Sequence, residues 1–396
     1  MSPVDSLRQL VVVRALSAFS YYTFTPFLPL WAERNLGSSP VTAGGALAVS
    51  LLATRAGGLV LPPLIDAIGY RRFSRLSYAG IAAGYLVIAS QNRIGPVALY
   101  GLFAVIGLLQ SGSTVALKAS VAGLAGDCAG VRGFAALSMA INTGSAAGPV
   151  CGALLLDSGR LALPTLAAVT VAAAALAPLP QPAAEHPHRV AGRRVPGWRL
   201  VRFLLVASLT WLGYAVALDA MPTVASGLVD RRIVALAFAL NAIVVVAAQP
   251  AMTRWLLGRG AGAGPARPLV SAGLLAGGGL GVLALLPWAG ASALLLGVLI
   301  FSASELIWGP LYDAETLARA GRMSPTAAFG LAGCVFGVAE SAATWSGVAI
   351  AGPGGDGRIA VVFGAAGAAA LLAVPLLAAL TGTPAHQPRQ VSEVLQ

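Results

Sequence analysis

Residues 96–125 read PVALYGLFAVIGLLQSGSTVALKASVAGLA, thirty residues that contain a single charged side chain, Lys118. A transmembrane α-helix needs about 20 predominantly apolar residues, so this run is long enough to cross a bilayer. Because lipid offers no hydrogen-bond partners, only helices and closed β-barrels can span it. Barrel strands would show short segments in which apolar and polar residues alternate. The unbroken run therefore predicts a membrane helix.

The composition extends this interpretation to the rest of the chain. Of the 396 residues, 57% are hydrophobic and 10% are charged, and the mean hydropathy is +0.82. A soluble domain usually carries roughly a quarter charged residues, so too little polar surface remains here to cover a water-soluble globule. The formal net charge is +11. The basic residues fall mostly in short connections between apolar runs, which indicates membrane topology rather than nucleic-acid binding.

Twelve apolar runs follow one another along the chain. They lie at residues 9–32, 41–65, 75–91, 96–125, 134–156, 161–179, 200–223, 231–252, 268–287, 290–315, 326–350 and 358–381. The most polar interior stretch, Pro180–Arg199, separates the sixth run from the seventh. We therefore expect an all-α membrane protein with twelve transmembrane helices. Residues 1–179 would form an N-terminal six-helix bundle, 180–199 a cytoplasmic linker, and 200–396 a C-terminal six-helix bundle with a short tail.

The distribution of lysine and arginine predicts the orientation in the membrane. With the N-terminus in the cytoplasm, sixteen basic residues fall in inside segments and six in outside segments. Both termini of this multi-pass protein are therefore expected on the cytoplasmic side of the cell membrane. The first apolar run lacks the pattern of a cleavable signal, so we interpret it as a retained helix.

Cysteine and histidine give no framework for a metal site or for catalysis. Cys128, Cys151 and Cys334 are scattered without ligand spacing, and the three histidines lie in polar connecting or tail segments. No nucleophile–base pair is recognisable. We expect a protein that is not an enzyme and that binds no cofactor or metal. A non-transporting membrane receptor remains an alternative.

A first motif follows the second apolar run, where residues 62–72 read PPLIDAIGYRR. An acid at a helix end that faces the N-terminus of another helix gains from that helix's dipole. The stretch resembles the loop signature of the major facilitator superfamily, although two of its positions differ. The matching residues are Asp66, Gly69, Arg71 and Arg72. The resemblance implies a gate that latches the two halves of the protein in the outward-facing state.

A second motif lies in the fifth run, where residues 142–152 read NTGSAAGPVCG. Small residues at this spacing let two helices approach closely, and proline bends a helix. The stretch resembles the signature of drug/proton antiporters in the same superfamily. Its gating residues would be Gly144, Gly148, Pro149 and Gly152. The arginine that the fourth helix of these antiporters usually carries is replaced here by Gly107, with Lys118 further along.

The third motif is ELIWGP at residues 305–310, which is similar to a Glu-x(4)-Pro pattern of some proton-driven facilitators. Glu305 lies about fifteen residues into its run, which is near mid-membrane at about 1.5 Å per residue. An ionisable residue at that depth is a functional hypothesis by default. We expect Glu305 to exchange the coupled proton, with Asp219 and Glu340 as further candidates.

The mid-depth charges of the predicted spans are segregated between the two halves. The basic residues Arg14, Arg55 and Lys118 belong to the N-terminal half, and the acids Asp219, Glu305 and Glu340 belong to the C-terminal half. Salt bridges between the halves that break during transport are one interpretation. Recognition of an anionic group on the substrate is another. Snorkelling of charges near helix ends is the third.

Pockets for drug-sized molecules are mostly apolar with a few polar anchors. The candidate substrate-binding residues are Arg14, Tyr21, Tyr22, Arg55, Gln110, Lys118, Asn142, Trp211, Tyr214, Asn241 and Trp308.

We expect a monomeric, proton-coupled exporter of small amphipathic molecules that works by alternating access. Its partners would be a small-molecule substrate, protons and membrane lipids, with no nucleic acid. A symporter or facilitator for a nutrient, sugar, peptide or anionic metabolite is the alternative within transport.

Overall fold

The computed structural model describes residues 2–124, 130–156, 158–180, 196–217, 221, 225, 228–263, 266–351 and 356–381. All regular secondary structure in these ranges is helical. Several predictions made above lie outside the described residues. They concern the acid Asp219, Cys128, most of the linker and the C-terminal tail.

Eight α-helices form the first part of the chain. They are α1 (Pro3–Phe24), α2 (Leu28–Leu36), α3 (Pro40–Val60), α4 (Pro62–Ile68), α5 (Tyr70–Ser90), α6 (Pro96–Ala122), α7 (Val131–Leu155) and α8 (Ala162–Leu176). A serine followed by a proline begins both α1 and α3, because the Ser2 and Ser39 side chains each accept a hydrogen bond from a backbone N–H 3.1 Å away in the first turn.

The first predicted run is not one continuous helix. A 3₁₀ turn at Thr25–Phe27 separates α1 from α2, and its central residue is Pro26, which lacks a backbone N–H. The second run likewise continues past α3 into the short α4. Gly69, at φ 88°, then joins α4 to α5 in a conformation that favours glycine.

Six further helices follow the polar stretch. They are α9 (Trp198–Ala215), α10 (Arg231–Ala263), α11 (Ala266–Leu283), α12 (Leu286–Arg319), α13 (Pro325–Ala351) and α14 (Asp356–Thr381). Gly290, at φ 53°, interrupts the first turns of α12, so the helix axis changes direction there. Pro250, Pro310 and Pro375 lie inside α10, α12 and α14.

Seven of the described helices contain a segment long and apolar enough to cross a membrane, judged by length and composition. The segments are Thr42–Val60, Pro96–Ala122, Arg232–Gly258, Ala266–Leu283, Leu286–Arg319, Pro325–Ala343 and Gly357–Thr381. The shorter helix α8 is apolar as well. Helix α5 falls short because the arginines in its first turns lower its hydropathy. The multi-pass, all-helical prediction is therefore confirmed, whereas these criteria do not reach a count of twelve.

The apolar interior consists of two clusters. One is built from α1 to α8 around large buried side chains such as Trp31, Tyr78 and Phe103, and it includes Phe329 of α13. The other is built from α9 to α14 around Phe203, Trp308 and Phe363. The two meet where α7 packs against α10 and α12, and where α13 packs against α3, α4 and α6.

Candidate functional site

A cavity of about 430 Å³ lies between the two apolar clusters. This volume falls within the roughly 300–1,000 Å³ of drug-sized ligand pockets. Helices α1, α3, α6 and α7 form one wall, and α9, α12 and α13 form the other. The polar and aromatic lining residues are Arg14, Tyr21, Tyr22, Thr54, Arg55, Gln110, Ser111, Thr114, Lys118, Phe134, Ser138, Asn142, Trp211, Tyr214, Glu305, Tyr312, Asp313, Phe329, Phe336 and Glu340.

Two ion pairs connect the walls. Arg55 of α3 pairs with Glu340 of α13, and the Nζ atom of Lys118 in α6 lies 2.7 Å from Oδ1 of Asp313 in α12. Each cation also lies over a phenylalanine ring of α13, with Arg55 4.5 Å from the centroid of Phe336 and Lys118 5.7 Å from that of Phe329. Each pair thus joins a base of the first cluster's helices to an acid of the second cluster's helices.

Asp313 was not among the residues selected from the sequence. It lies eight residues after Glu305 on α12, about two helical turns away. Residues at this spacing share a helix face, so the periodicity of α12 places both carboxyl groups toward the cavity. The spacing from Glu305 was the signal that could have identified Asp313.

Glu305 is held by two amides. Asn142 of α7 donates from Nδ2 to Oε1 at 3.3 Å, and Asn241 of α10 donates from Nδ2 to Oε2 at 2.9 Å. The Asn241 amide also lies 2.9 Å from the Ser302 hydroxyl on α12, which fixes its orientation. Among the described residues, no basic side chain lies within ion-pair distance of Glu305.

Arg14 lines the same cavity from α1. Its guanidinium group donates to the Thr114 hydroxyl at 3.2 Å. Within the described ranges, no carboxylate lies within 4.0 Å of it. The three predicted basic residues therefore have different surroundings, since Arg55 and Lys118 have acidic partners and Arg14 has a neutral one.

Aromatic rings cover much of the wall formed by α9, α12 and α13. The ring of Trp211 lies 4.2 Å from that of Phe336 and 5.2 Å from that of Tyr312, measured between centroids. On the opposite wall, Tyr21 and Tyr22 contact each other edge to face at 5.2 Å. The cavity thus offers flat apolar surfaces beside its charged groups.

Two predicted substrate-binding residues do not line the cavity. Trp308 is completely buried behind the wall and stacks on Tyr312 with ring centroids 6.0 Å apart. Asn241 is buried between α10 and α12, where it contacts Glu305 instead. The angular position of each side chain around its helix axis places it behind the cavity surface. That angle cannot be read from the position of a residue in the sequence. The other nine predicted residues line the cavity.

The loop motif at residues 62–72 lies at one end of the interface between the clusters. The Thr326 hydroxyl donates to Oδ1 of Asp66 at 2.6 Å. Thr326 belongs to the first turn of α13, so Asp66 faces a helix N-terminus, as the sequence suggested. Nearby, a Cβ atom on Gly58 would lie 2.7 Å from the Gly330 carbonyl oxygen. Helices α3 and α13 are therefore in backbone contact at this end.

The second motif joins α7 to α1. A Cβ atom on Gly144 would lie 2.6 Å from Cβ of Ala18, and one on Gly148 would lie 2.8 Å from Cβ of Tyr22. Gly152 continues the same contact toward Phe27, and Pro149 lies within α7. Because α1 carries Arg14 and α7 carries Asn142, this close packing sets the spacing between two lining residues.

Residues 10–344 match the family model described as Major Facilitator Superfamily. The chain belongs to the major facilitator superfamily. This confirms the resemblance drawn from the sequence motifs at the level of the superfamily. The chain is therefore a multi-pass integral membrane protein with a transporter fold. No curated protein matches it in sequence.

Solved structures of other superfamily transporters share the fold. The human organic anion transporter MFSD10 (TETRAN) is 18% identical, with a TM-score of 0.74, and the alignment covers 95% of this chain and 100% of that one. A POT family transporter in complex with thioalcohol conjugated peptide is 16% identical, with a TM-score of 0.68 and coverages of 93% and 94%. A POT family transporter in complex with 5-aminolevulinic acid is 14% identical, with a TM-score of 0.65 and coverages of 95% and 96%.

Taken together, the superfamily fold and the cavity define what the site can do. Carboxyl groups can exchange protons, guanidinium groups can pair with anions, and aromatic rings can contact an apolar body, and the cavity wall contains all three. In the part of the chain that the structure describes, no group of three or more His, Cys, Asp or Glu side chains is arranged to hold a metal ion.

Proposed function

We propose that this protein is a proton-coupled secondary active transporter that exports small amphipathic molecules by alternating access. The observation that carries the proposal is the placement of Glu305, an acid in the cavity wall that contacts the amides of Asn142 on α7 and Asn241 on α10. A transporter coupled to protons needs an acid whose surroundings change as the cavity alternates. The Asn142–Glu305 hydrogen bond joins α7 to α12, so a relative movement of these helices would change the surroundings of Glu305.

The architecture we propose has twelve spans in two six-helix bundles, residues 1–179 and 200–396. It adds five helical segments to the seven apolar ones: α1 continued by α2, then α5, α7, α8 and α9. The two apolar clusters, one on each side of the polar stretch 180–199, support the division. We also propose that the protein is a monomer in the cell membrane, with both termini in the cytoplasm.

The coupling we propose runs through the Asn142–Glu305 hydrogen bond, which joins α7 of the first bundle to α12 of the second. Hydrogen bonds to an ionised carboxylate are roughly twice as strong as neutral ones. Protonation of Glu305 therefore weakens this contact between the bundles. Since a proton and a bundle movement then affect the same contact, they are thermodynamically linked.

The ion pairs Arg55–Glu340 and Lys118–Asp313 add to this linkage. Both pairs are half-buried, so an acid that loses its base is left with an uncompensated charge that water solvates only in part. When the bundles separate on one side of the membrane, each acid needs another partner, and a proton can serve. Glu340 therefore remains a proton-coupling candidate and Asp313 joins it, whereas Asp219 remains a candidate from its sequence position.

The choice of export over uptake rests on the motif at residues 142–152, which resembles that of drug/proton antiporters. In this structure the motif holds α7 against α1. The superfamily relatives support a small organic solute as the substrate, since one is an organic anion transporter and another was solved in complex with a thioalcohol conjugated peptide.

The test is proton flux in liposomes that contain the purified protein and an internal pH dye. An outward gradient of 2-naphthylacetate, 2-naphthylacetamide or 2-(2-naphthyl)ethylammonium should drive protons inward for at least one solute, beyond the leak in protein-free liposomes. Glu305→Gln should abolish that flux and retain solute binding. The exposed acid Glu33 provides the control variant, Glu33→Gln, which should transport normally. Proton movement in the same direction as the solute, or full flux in Glu305→Gln, contradicts the proposal.

A further inference from the structure

The two walls of the cavity differ in chemistry, and this difference bears on the substrate of the proposed transporter. The wall formed by α1, α3, α6 and α7 presents basic and hydroxyl side chains, among them Arg14 and Thr114. The opposite wall presents the rings of Trp211, Tyr312 and Phe336. A molecule that satisfies both walls needs a polar end and an apolar body.

The charge of the polar end follows from the partners of the lining acids. Glu340 has Arg55, Asp313 has Lys118, and Glu305 has two amides. Among the described lining cations, this leaves Arg14 without a carboxylate partner. The Asp313 charge acts on Arg14, but Oδ1 of Asp313 is bound to Lys118 at 2.7 Å.

Arg14 is half-buried at the cavity wall, and the hydrogen bond that its guanidinium group makes there is to the neutral Thr114 hydroxyl. Its planar fork of donors matches a carboxylate in a bidentate geometry. Arg14 already donates to Thr114 at 3.2 Å, which leaves donors for a ligand in the cavity. An anionic group is therefore the complement of this position, and a cationic group would be repelled there.

The body of the ligand is set by the aromatic wall. Trp211 lies at its centre, in contact with Phe336 at 4.2 Å and with Tyr312 at 5.2 Å between centroids. Such a surface suits a flat apolar or aromatic group, because offset and edge-on ring contacts add to the area buried.

Resting on the proposed transport function, we infer that the substrate is an amphipathic organic anion. Its carboxylate, or a similar acidic group, pairs with Arg14, and its apolar body lies against Trp211, Tyr312 and Phe336. A small anion such as acetate lacks the apolar body, and an amphipathic cation lacks the acidic group.

Binding to the purified protein in nanodiscs tests the inference without any variant. Isothermal titration calorimetry with 2-naphthylacetate, 2-naphthylacetamide, 2-(2-naphthyl)ethylammonium and acetate separates charge from apolar body. We expect the naphthyl acid to bind at least about 10-fold more tightly than the other three. The amide and the ammonium compound lack the hydrogen bonds of a carboxylate to Arg14, and such bonds contribute about this factor. Acetate lacks the apolar contacts of the naphthyl ring. Equal or tighter binding of the ammonium compound overturns the inference, as does failure of the acid to bind at millimolar concentration.

Variants then test whether Arg14 is the residue that recognises the acidic group of the ligand. Arg14→Gln should bind the naphthyl acid no more tightly than the amide, whereas Arg14→Lys should retain part of the preference. Trp211→Leu should weaken the binding of the naphthyl acid and of the amide by the same factor. Arg202→Gln, which removes an arginine from the exposed face of α9, should leave both affinities unchanged. A preference for the acid that survives Arg14→Gln overturns the assignment.

These measurements use no proton gradient, so they fail independently of the proton flux assay. Selective binding of the naphthyl acid without coupled flux contradicts the transport mechanism and supports the ligand class. Coupled flux with selectivity for the amide or the ammonium compound supports the mechanism and overturns the ligand class.

Discussion

At the scale of single residues, Asn241 has a role different from the one its sequence position suggested. An amide within a predicted span indicates a substrate contact, and Asn142 does line the cavity. Asn241 instead lies behind the wall, where its amide joins Ser302 to Glu305. From this geometry we infer that Asn241 positions the acid, and we expect the two asparagines to have separable roles.

Asn241→Ala should consequently lower coupled proton flux without altering the affinity for ligand. Losing a hydrogen bond to a charged group removes about 1.5–3 kcal/mol, so we expect flux to fall about 10-fold. Calorimetry with the naphthyl probes should give the wild-type Kd. Thr143→Ala, next to Asn142 on the exposed face of α7, is the control. A matching loss of affinity in Asn241→Ala would show that the residue binds substrate directly.

At the scale of helices, glycine positions distinguish a structural motif from incidental small residues. Gly144 and Gly101 both lie within helices. A Cβ atom on Gly144 would lie 2.6 Å from Cβ of Ala18 and from the Phe19 amide, whereas a Cβ atom on Gly101 would meet nothing within 4 Å. The sequence identified the motif at residues 142–152 but could not identify α1 as its partner.

The same substitution at these two glycines should have opposite effects. Gly144→Ala forces α7 away from α1 and should destabilise the protein by about 1–3 kcal/mol, the usual range for overpacking. Gly101→Ala should be neutral or stabilising by up to about 1 kcal/mol, because alanine is the better helix former. Thermal unfolding in detergent measures both. Equal melting temperatures for the two variants would contradict the packing described here.

Much of the helical layout follows from the sequence, because apolar length and the serine–proline starts are local signals. The segregation of buried bases and acids between the halves was also visible there. The ion pairs themselves could not be predicted from the sequence. Lys118 and Asp313 are 195 positions apart and meet only because of how α6 and α12 are oriented around their axes. Asp313 and the placement of Trp308 behind the wall depend on the same orientations. Local patterns carry no information about them.

At the scale of the whole molecule, the helices of the two apolar clusters meet through contacts of different kinds. Asp66 and Thr326 close one end, Gly58 and Gly330 bring backbones together nearby, and the ion pairs span the cavity. Packed interfaces of this kind tend to switch between discrete arrangements rather than deform continuously. Under the proposed mechanism, we expect the charged pairs in the cavity to influence which arrangement the loaded and empty forms prefer.

The balance of charge around the cavity has an electrical consequence. Three basic and three acidic side chains line it. Protonation of Glu305 leaves the empty cavity with one positive charge, and a bound monoanion beside ionised Glu305 leaves it with one negative charge. Exchange would then move two elementary charges per cycle, each worth about 2.3 kcal/mol per 100 mV. A negative potential inside liposomes, set with valinomycin and potassium, should therefore accelerate efflux of 2-naphthylacetate, and the reversed potential should slow it. Efflux at a rate independent of voltage would mean that other groups compensate the charge moved in each cycle.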